Sequence, residues 1–312
     1  MIKAGIILAA ILVLLCILAA AGFYAFVFYY PERLREDPYA PEKKENYGAY
    51  AKEMADAIRE MDARPYEEVT IQSRDGYTLY GRLYETCPGR PVEIFFHGYH
   101  GTRYWDGYGC FRFCRKYGHN LLMVDERAHG KSGGRTITFG ICERYDCLAW
   151  AQYVAQRMGK ETPIILSGVS MGSATVLMAA DLPLPDSVRA IIADCGYTSP
   201  EAVIGSIARK QHIPVKTGLF FTRLGGRLFG HFNLRESEAV KSVRNTKIPI
   251  LFIHGTEDQV VPPEMCDELY EACGSFKRRM SMPGAGHAVN AQKDLESYMQ
   301  GVADFLKSCE IL

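Results

Sequence analysis

The sequence lacks an excess of either charge. Its 36 Lys and Arg are matched by 36 Asp and Glu, and its basic clusters, such as Lys277-Arg278-Arg279, are short. A nucleic-acid surface needs a basic stripe to displace counterions, so that class of partner is excluded. Cysteine pairing is also missing. Among 10 cysteines there is no Cys-x-x-Cys; Cys110 and Cys114 sit four apart and Cys266 and Cys273 seven apart, both helix spacings. Nine cysteines lie outside the first apolar run, an odd number. Free thiols are therefore expected rather than a disulfide framework, and no metal site is expected. There is no internal repeat. Charge disappears altogether from Gly5 to Tyr30.

That uncharged run is rich in Ile, Leu, Ala and Phe. About 20 such residues suffice to cross a bilayer as a helix. Tyr24, Tyr29 and Tyr30 at its far end suit the interfacial aromatic belt. Ala19-Ala20-Ala21 resembles a signal-peptide cleavage site, but the apolar run continues through Phe23, Phe26, Val27 and Phe28. The expectation is a retained single-pass anchor in a cell membrane. Lys3 precedes the span and Arg33 and Arg35 follow it. The positive-inside rule leans toward a cytoplasmic domain without deciding the side.

Residues 1–30 are read as the anchor, 31–64 as a charged linker with an amphipathic helix, and 65–312 as the main domain. In the linker, Tyr47, Tyr50, Ala51, Met54, Ala57, Ile58 and Met61 recur at three and four residues, one face of a helix. Packing on the following domain is favoured over a membrane-surface or partner helix. From Tyr66 the chain makes a hairpin, Val69–Ile71 and Tyr77–Tyr84, around Asp75-Gly76. Short apolar strands then alternate with helices: Val92–Phe96, Asn120–Asp125, Pro163–Leu166, Val188–Asp194, Ile248–Ile253 and Arg278–Met282. This pattern predicts an α/β fold, a mostly parallel sheet of about eight strands with helices on both faces. The interval 197–245 shows no clear strand and is too long for a plain connection. It predicts a small helical lid, with Phe220, Leu224 and Leu228 lining an acyl pocket or forming the lid's own core.

The richest segment is Gly168-Val169-Ser170-Met171-Gly172, set between an apolar strand and a small-residue helix pattern. It reads as a nucleophile elbow, a sharp turn that pushes a serine out of the sheet; its glycines let backbone meet backbone. A serine hydroxyl attacks only when a base takes its proton, and the base needs an acid partner. Asp258 lies on the exit loop of the seventh strand, and His287, between Gly286 and Ala288, on that of the eighth. The order Ser170, Asp258, His287 is the one the elbow architecture requires. Backbone N–H groups must also hold the oxyanion, and losing one donor costs about 3 kcal/mol. Met171 and Tyr99 are the candidates. Asp194, ending the sixth strand, is the weaker choice of acid. His97, His129 and His254 are expected to be structural, His100 is a possible substrate contact, and His119, His212 and His231 are expected at the surface or in the lid.

His97-Gly98, Asp125-Glu126-Arg127-Ala128-His129-Gly130-Lys131-Ser132, the elbow, His254-Gly255-Thr256-Glu257-Asp258 with Val261-Pro262, and Gly286-His287 together resemble the α/β-hydrolase superfamily. Within it the chain is most similar to membrane-anchored bacterial esterase-like hydrolases, related to the serine aminopeptidase and monoacylglycerol lipase-like group. Ala128 stands where the family more often has glycine. The resemblance implies the α/β-hydrolase fold, a Ser170–Asp258–His287 triad, an oxyanion hole from Tyr99 and Met171, and no cofactor. It implies a serine hydrolase acting on a small-molecule or lipid-like acyl ester. A peptidase, amidase or acyltransferase of the same fold, or a non-catalytic membrane scaffold, stays open, and the sequence is silent on oligomeric state.

Overall fold

The computed structural model describes residues 2–32, 35, 37, 39 and 47–312. Arg33 and most of the predicted linker between 33 and 46 lie outside them.

Eight strands form one sheet: β1 (Glu67–Gln72), β2 (Thr78–Tyr84), β3 (Val92–Phe96), β4 (Asn120–Val124), β5 (Ile164–Val169), β6 (Val188–Asp194), β7 (Ile250–Gly255) and β8 (Lys277–Met282). Their order is β1-β2-β4-β3-β5-β6-β7-β8. Only β2 runs against its neighbours; the other pairs are parallel. The central β3, β4 and β5 are buried at every residue, which is why their sequences are apolar runs rather than alternating patterns. The edge strand β8 carries Lys277, Arg278 and Arg279, charges that discourage pairing with another chain.

The helices are α1 (Ile2–Val27), α2 (Ala51–Ala63), α3 (Arg103–Asp106), α4 (Tyr108–Tyr117), α5 (Glu143–Met158), α6 (Met171–Ala179), α7 (Pro200–Lys210), α8 (Val215–Leu228), α9 (Ala239–Asn245), α10 (Pro263–Ala272), α11 (Asn290–Lys293) and α12 (Leu295–Ser308). One core layer joins α5, α6, α9 and α10 to the sheet through Trp150, Leu177, Val243 and Leu269. The other joins α2, α4 and α12 through Met54, Phe111 and Phe305. The amphipathic helix therefore packs on the domain, with Met54, Ala57, Ile58 and Met61 buried.

The predicted lid interval holds α7, α8 and α9. Ser199 starts α7 by accepting a hydrogen bond from the Ala202 N–H, with Pro200 at the first helical position. The expected role of Phe220 and Leu228 is not observed. Both are exposed, at 52% and 45%, so they fill neither a pocket nor a lid core. Small residues set the buried face of α8 instead: Gly218, Thr222, Gly225 and Gly226. That face meets α1. A Cβ on Gly225 would sit 2.5 Å from the Ala20 carbonyl oxygen and 3.0 Å from Tyr24 Cβ, so only glycine allows this approach.

α1 is long and apolar enough to cross a membrane. Most of its first 18 residues are exposed. Its foot belongs to the core, where Ala20, Phe28 and Tyr30 are buried. Phe28 meets Phe232 and Phe139 edge-on, at 5.0 and 5.9 Å. Backbone bonds tie the same segment to the loop before α5: the Ile137 N–H donates to the Phe28 carbonyl and the Tyr30 N–H to the Arg135 carbonyl, each at 2.8 Å.

Candidate active site

The site lies at the carboxyl ends of β3, β5, β7 and β8. Ser170 follows β5 directly with φ 55°, a left-handed conformation rarely adopted by a side-chain-bearing residue. The glycines on either side make this turn possible. A Cβ on Gly168 would lie 2.3 Å from the Gly172 carbonyl carbon, and one on Gly172 would lie 2.1 Å from the Phe96 carbonyl oxygen. The Ser170 N–H is held by the Asp194 carbonyl at 2.9 Å.

The three expected residues meet. His287 Nε2 is 2.9 Å from Ser170 Oγ, and His287 Nδ1 is 2.7 Å from Asp258 Oδ2. Since the carboxylate accepts, Nδ1 carries the proton and Nε2 is free to accept from the serine. Asp258 is fully buried at its side chain. Its Oδ1 accepts from the Val260 and Val261 N–H groups at 2.8 and 2.9 Å. Burial raises the Asp258 pKa, but hydrogen bonds from His254 and His287 outweigh it and hold the carboxyl below the usual carboxylate range. His254 is more than filler: its Nε2 is 2.9 Å from the Val261 carbonyl and 3.4 Å from Asp258 Oδ2, so it braces the acid loop. Asp194, the other candidate acid, bonds to Asn290 Nδ2 at 2.5 Å. Glu257 is exposed on the rim of the cleft.

The loop after β3 is pinned at three points. The Gly98 N–H donates to Asp106 Oδ2 at 2.6 Å, the Gly101 N–H to the Gly98 carbonyl at 3.0 Å, and the His100 N–H to His129 Nε2 at 3.2 Å. Between them the Tyr99 N–H has no acceptor among the described residues, and the same holds for the Met171 N–H at the start of α6. Asp106 was not legible as a site residue. It also accepts from the Tyr47 hydroxyl and fills the space beside Gly101, where a Cβ would lie 2.2 Å from its Oδ2. His97 and His129 are structural, as expected. His97 donates through Nδ1 to the Gly98 carbonyl and accepts at Nε2 from the Glu126 N–H. Burial lowers both pKa values, which keeps these rings neutral. Ala128 adopts φ 63°, the backbone that explains why glycine is commoner there.

Two cavities converge on this corner. The first, of about 470 Å³, contains Ser170 and His287 and is rimmed by Lys210, Glu257 and Gln259. The second, of about 310 Å³, lies between the foot of α1 and helices α7 and α8. Tyr99 and His100 line both.

Two groups among the described residues bring three metal-capable atoms within 4.8 Å of one another. One is Cys195 with Asp258 and His287 themselves. The other is Glu93, Cys114 and His119, at the opposite end of the sheet. His119 was expected at the surface or in the lid; it is buried instead, edge-on to Phe113 at 5.5 Å, and burial lowers its pKa to about 4. His212 and His231 are exposed at turns beside α7 and α8, as expected.

Comparison with known proteins agrees with the fold. A family model described as the alpha/beta hydrolase fold matches residues 91–213. The protein YqkD of Bacillus subtilis is 27% identical over 190 residues, 61% of this chain, and the match spans only 62% of YqkD. A Saccharomyces cerevisiae protein named as a membrane protein, YNL320W, is 25% identical over 195 residues, 62% of this chain and 63% of its own. Among solved structures, the Pyrococcus furiosus esterase Pf2001 superposes with a TM-score of 0.64 at 24% identity, over 80% of this chain and 93% of its own.

Proposed function

We propose that this chain, which has the α/β-hydrolase fold, is a membrane-anchored serine hydrolase cleaving carboxylic esters through an acyl-enzyme on Ser170. The observation that carries this reading is the unbroken relay from buried Asp258 through His287 to Ser170 at the cleft, with the Tyr99 and Met171 N–H groups unengaged among the described residues.

His287 Nε2 takes the Ser170 proton as Oγ bonds to the ester carbonyl carbon. The Tyr99 and Met171 N–H groups hold the resulting oxyanion. Asp258 stays ionised and stabilises the imidazolium. The imidazolium then gives its proton to the leaving alkoxide as the carbon–oxygen bond breaks. Water, deprotonated by His287, attacks the acyl-enzyme and releases a carboxylic acid and free Ser170. Esterase Pf2001 supports the choice of esters only by likeness of fold. The anchor reading rests on the exposed length of α1, uncharged from Gly5 on, with the yeast relative's name in agreement.

A fluorophosphonate probe should label Ser170 in the folded protein, and a panel of esters and aminopeptides should show ester turnover. Peptide hydrolysis without ester turnover would move the reading to a peptidase. No adduct on Ser170 would leave a non-catalytic scaffold.

A further inference from the structure

We propose that the cavity between the foot of α1 and the lid is the acyl-chain subsite, and that its occupant is the long apolar acyl chain of an ester drawn from the membrane. This rests on the reading of Ser170 as the nucleophile. The candidate membrane anchor would then be a wall of the substrate site as well as a mooring.

Three features lead here. First, the chamber is apolar. Phe23, Phe26 and Val27 of α1 face Ile204, Ile207 and Ala208 of α7 across it. Its hydroxyls are already engaged: Tyr99 donates to the Val27 carbonyl at 3.0 Å and Thr222 to the Gly218 carbonyl at 2.8 Å. His100 and Gln211 are the other polar side chains of the lining; over the rest of it a guest meets hydrocarbon, as a fatty chain requires and a polar acyl group does not. Second, the chamber adjoins the reaction centre. Tyr99 and His100 line both cavities, and Tyr99 is the residue proposed above to give one oxyanion N–H. A carbonyl held at Ser170 can direct its chain past Tyr99. Third, the chamber lies where α1 leaves the domain. Phe26 lines it and is 67% exposed, and Phe220 and Leu228 of α8, the helix packed on α1, are exposed too. With α1 in a bilayer, these apolar groups sit at the headgroup boundary, and a chain enters without crossing water.

The test uses the full-length protein in phosphatidylcholine vesicles, with para-nitrophenyl acetate, octanoate and dodecanoate. Ala208→Phe fills the chamber. It should lower kcat/KM for dodecanoate about tenfold or more while leaving acetate near the wild-type value. Phe26→Ala, at an exposed position that cannot disturb the core, should raise KM for dodecanoate and not for acetate. Chain-length preference unchanged in both variants overturns the proposal. A second arm uses Ser170→Ala protein and a dodecanoyl amide bearing a terminal diazirine. Crosslinks should map to Phe23–Val27 or Ile204–Ala208; crosslinks confined to the polar cleft overturn the subsite, whatever the turnover. Wild-type protein that neither hydrolyses an ester nor takes a fluorophosphonate, yet crosslinks in the chamber, overturns the hydrolase reading while the chamber as an acyl-binding site stands.

Discussion

The two cavities share Tyr99 and His100 and little else in their construction. Around Ser170, single atoms are held by single hydrogen bonds: Asp258 to His287, Asp106 to Gly98, His129 to His100. Around the chamber, helices are held by close packing of glycine on backbone and ring on ring, as at Gly225 on Ala20 and Phe221 on Phe23. A polar corner of the first kind can lose its chemistry through one atom without losing its shape. An apolar corner of the second kind carries no chemistry of its own, but it joins the fold of the domain to the course of α1.

That contrast can be broken by substitution. The largest effect is expected at Ser170→Ala: ester kcat/KM should fall about a million-fold, with the urea midpoint unchanged. A large shift in the midpoint would mean that the elbow serine supports the fold as well. Next is Phe28→Ala, which should cost about 3–5 kcal/mol of stability by emptying a site between Phe139 and Phe232. Leu14→Ala, on the exposed length of α1, the helix that ends just before Phe28, should leave domain unfolding where it is. Equal effects from the two would mean that α1 behaves as one body. Gly225→Leu should cost about 1–3 kcal/mol, because α8 must move off α1 to admit the side chain. The smallest effect is expected in acid. Asp258 has a pKa below that of an unfolded carboxylate, so its contribution is complete above about pH 4 and is lost as pH falls from there through the folded value. Asp258→Asn should flatten that part of a stability–pH curve measured by urea unfolding; an unchanged acid limb would assign it to other carboxylates.

The polar corner was largely legible from the chain because its chemistry demands particular atoms at strand ends. A serine between glycines, an aspartate after β7 and a histidine after β8 leave few alternatives. The strands were legible for a similar reason, since burial on both faces writes itself as unbroken apolar runs. Asp106 was not, because a carboxylate that serves a neighbouring loop's N–H has no fixed spacing; the only trace was Gly98 and Gly101, which make room for it. α8 misled for a physical reason. Its large residues, Phe220 and Leu228, recur at the spacing of an inward face, yet α1 approaches on the small residues Gly218, Thr222 and Gly225. His119 is expected from the sequence at the surface or in the lid, yet it is buried against Phe113, a contact no local pattern announces. Nothing in the composition of α1 separates the residues that pack on the domain from those that do not.

The bonds from Ile137 to Phe28 and from Tyr30 to Arg135 have a further consequence for where the protein can work. If α1 stands upright in a bilayer as proposed, they would hold the domain to one orientation. It would not roam the solution around its mooring or tilt from one molecule to another. Its reach would be a fixed depth beside one leaflet, and a molecule that never visits that depth would go untouched, however well its ester suited Ser170.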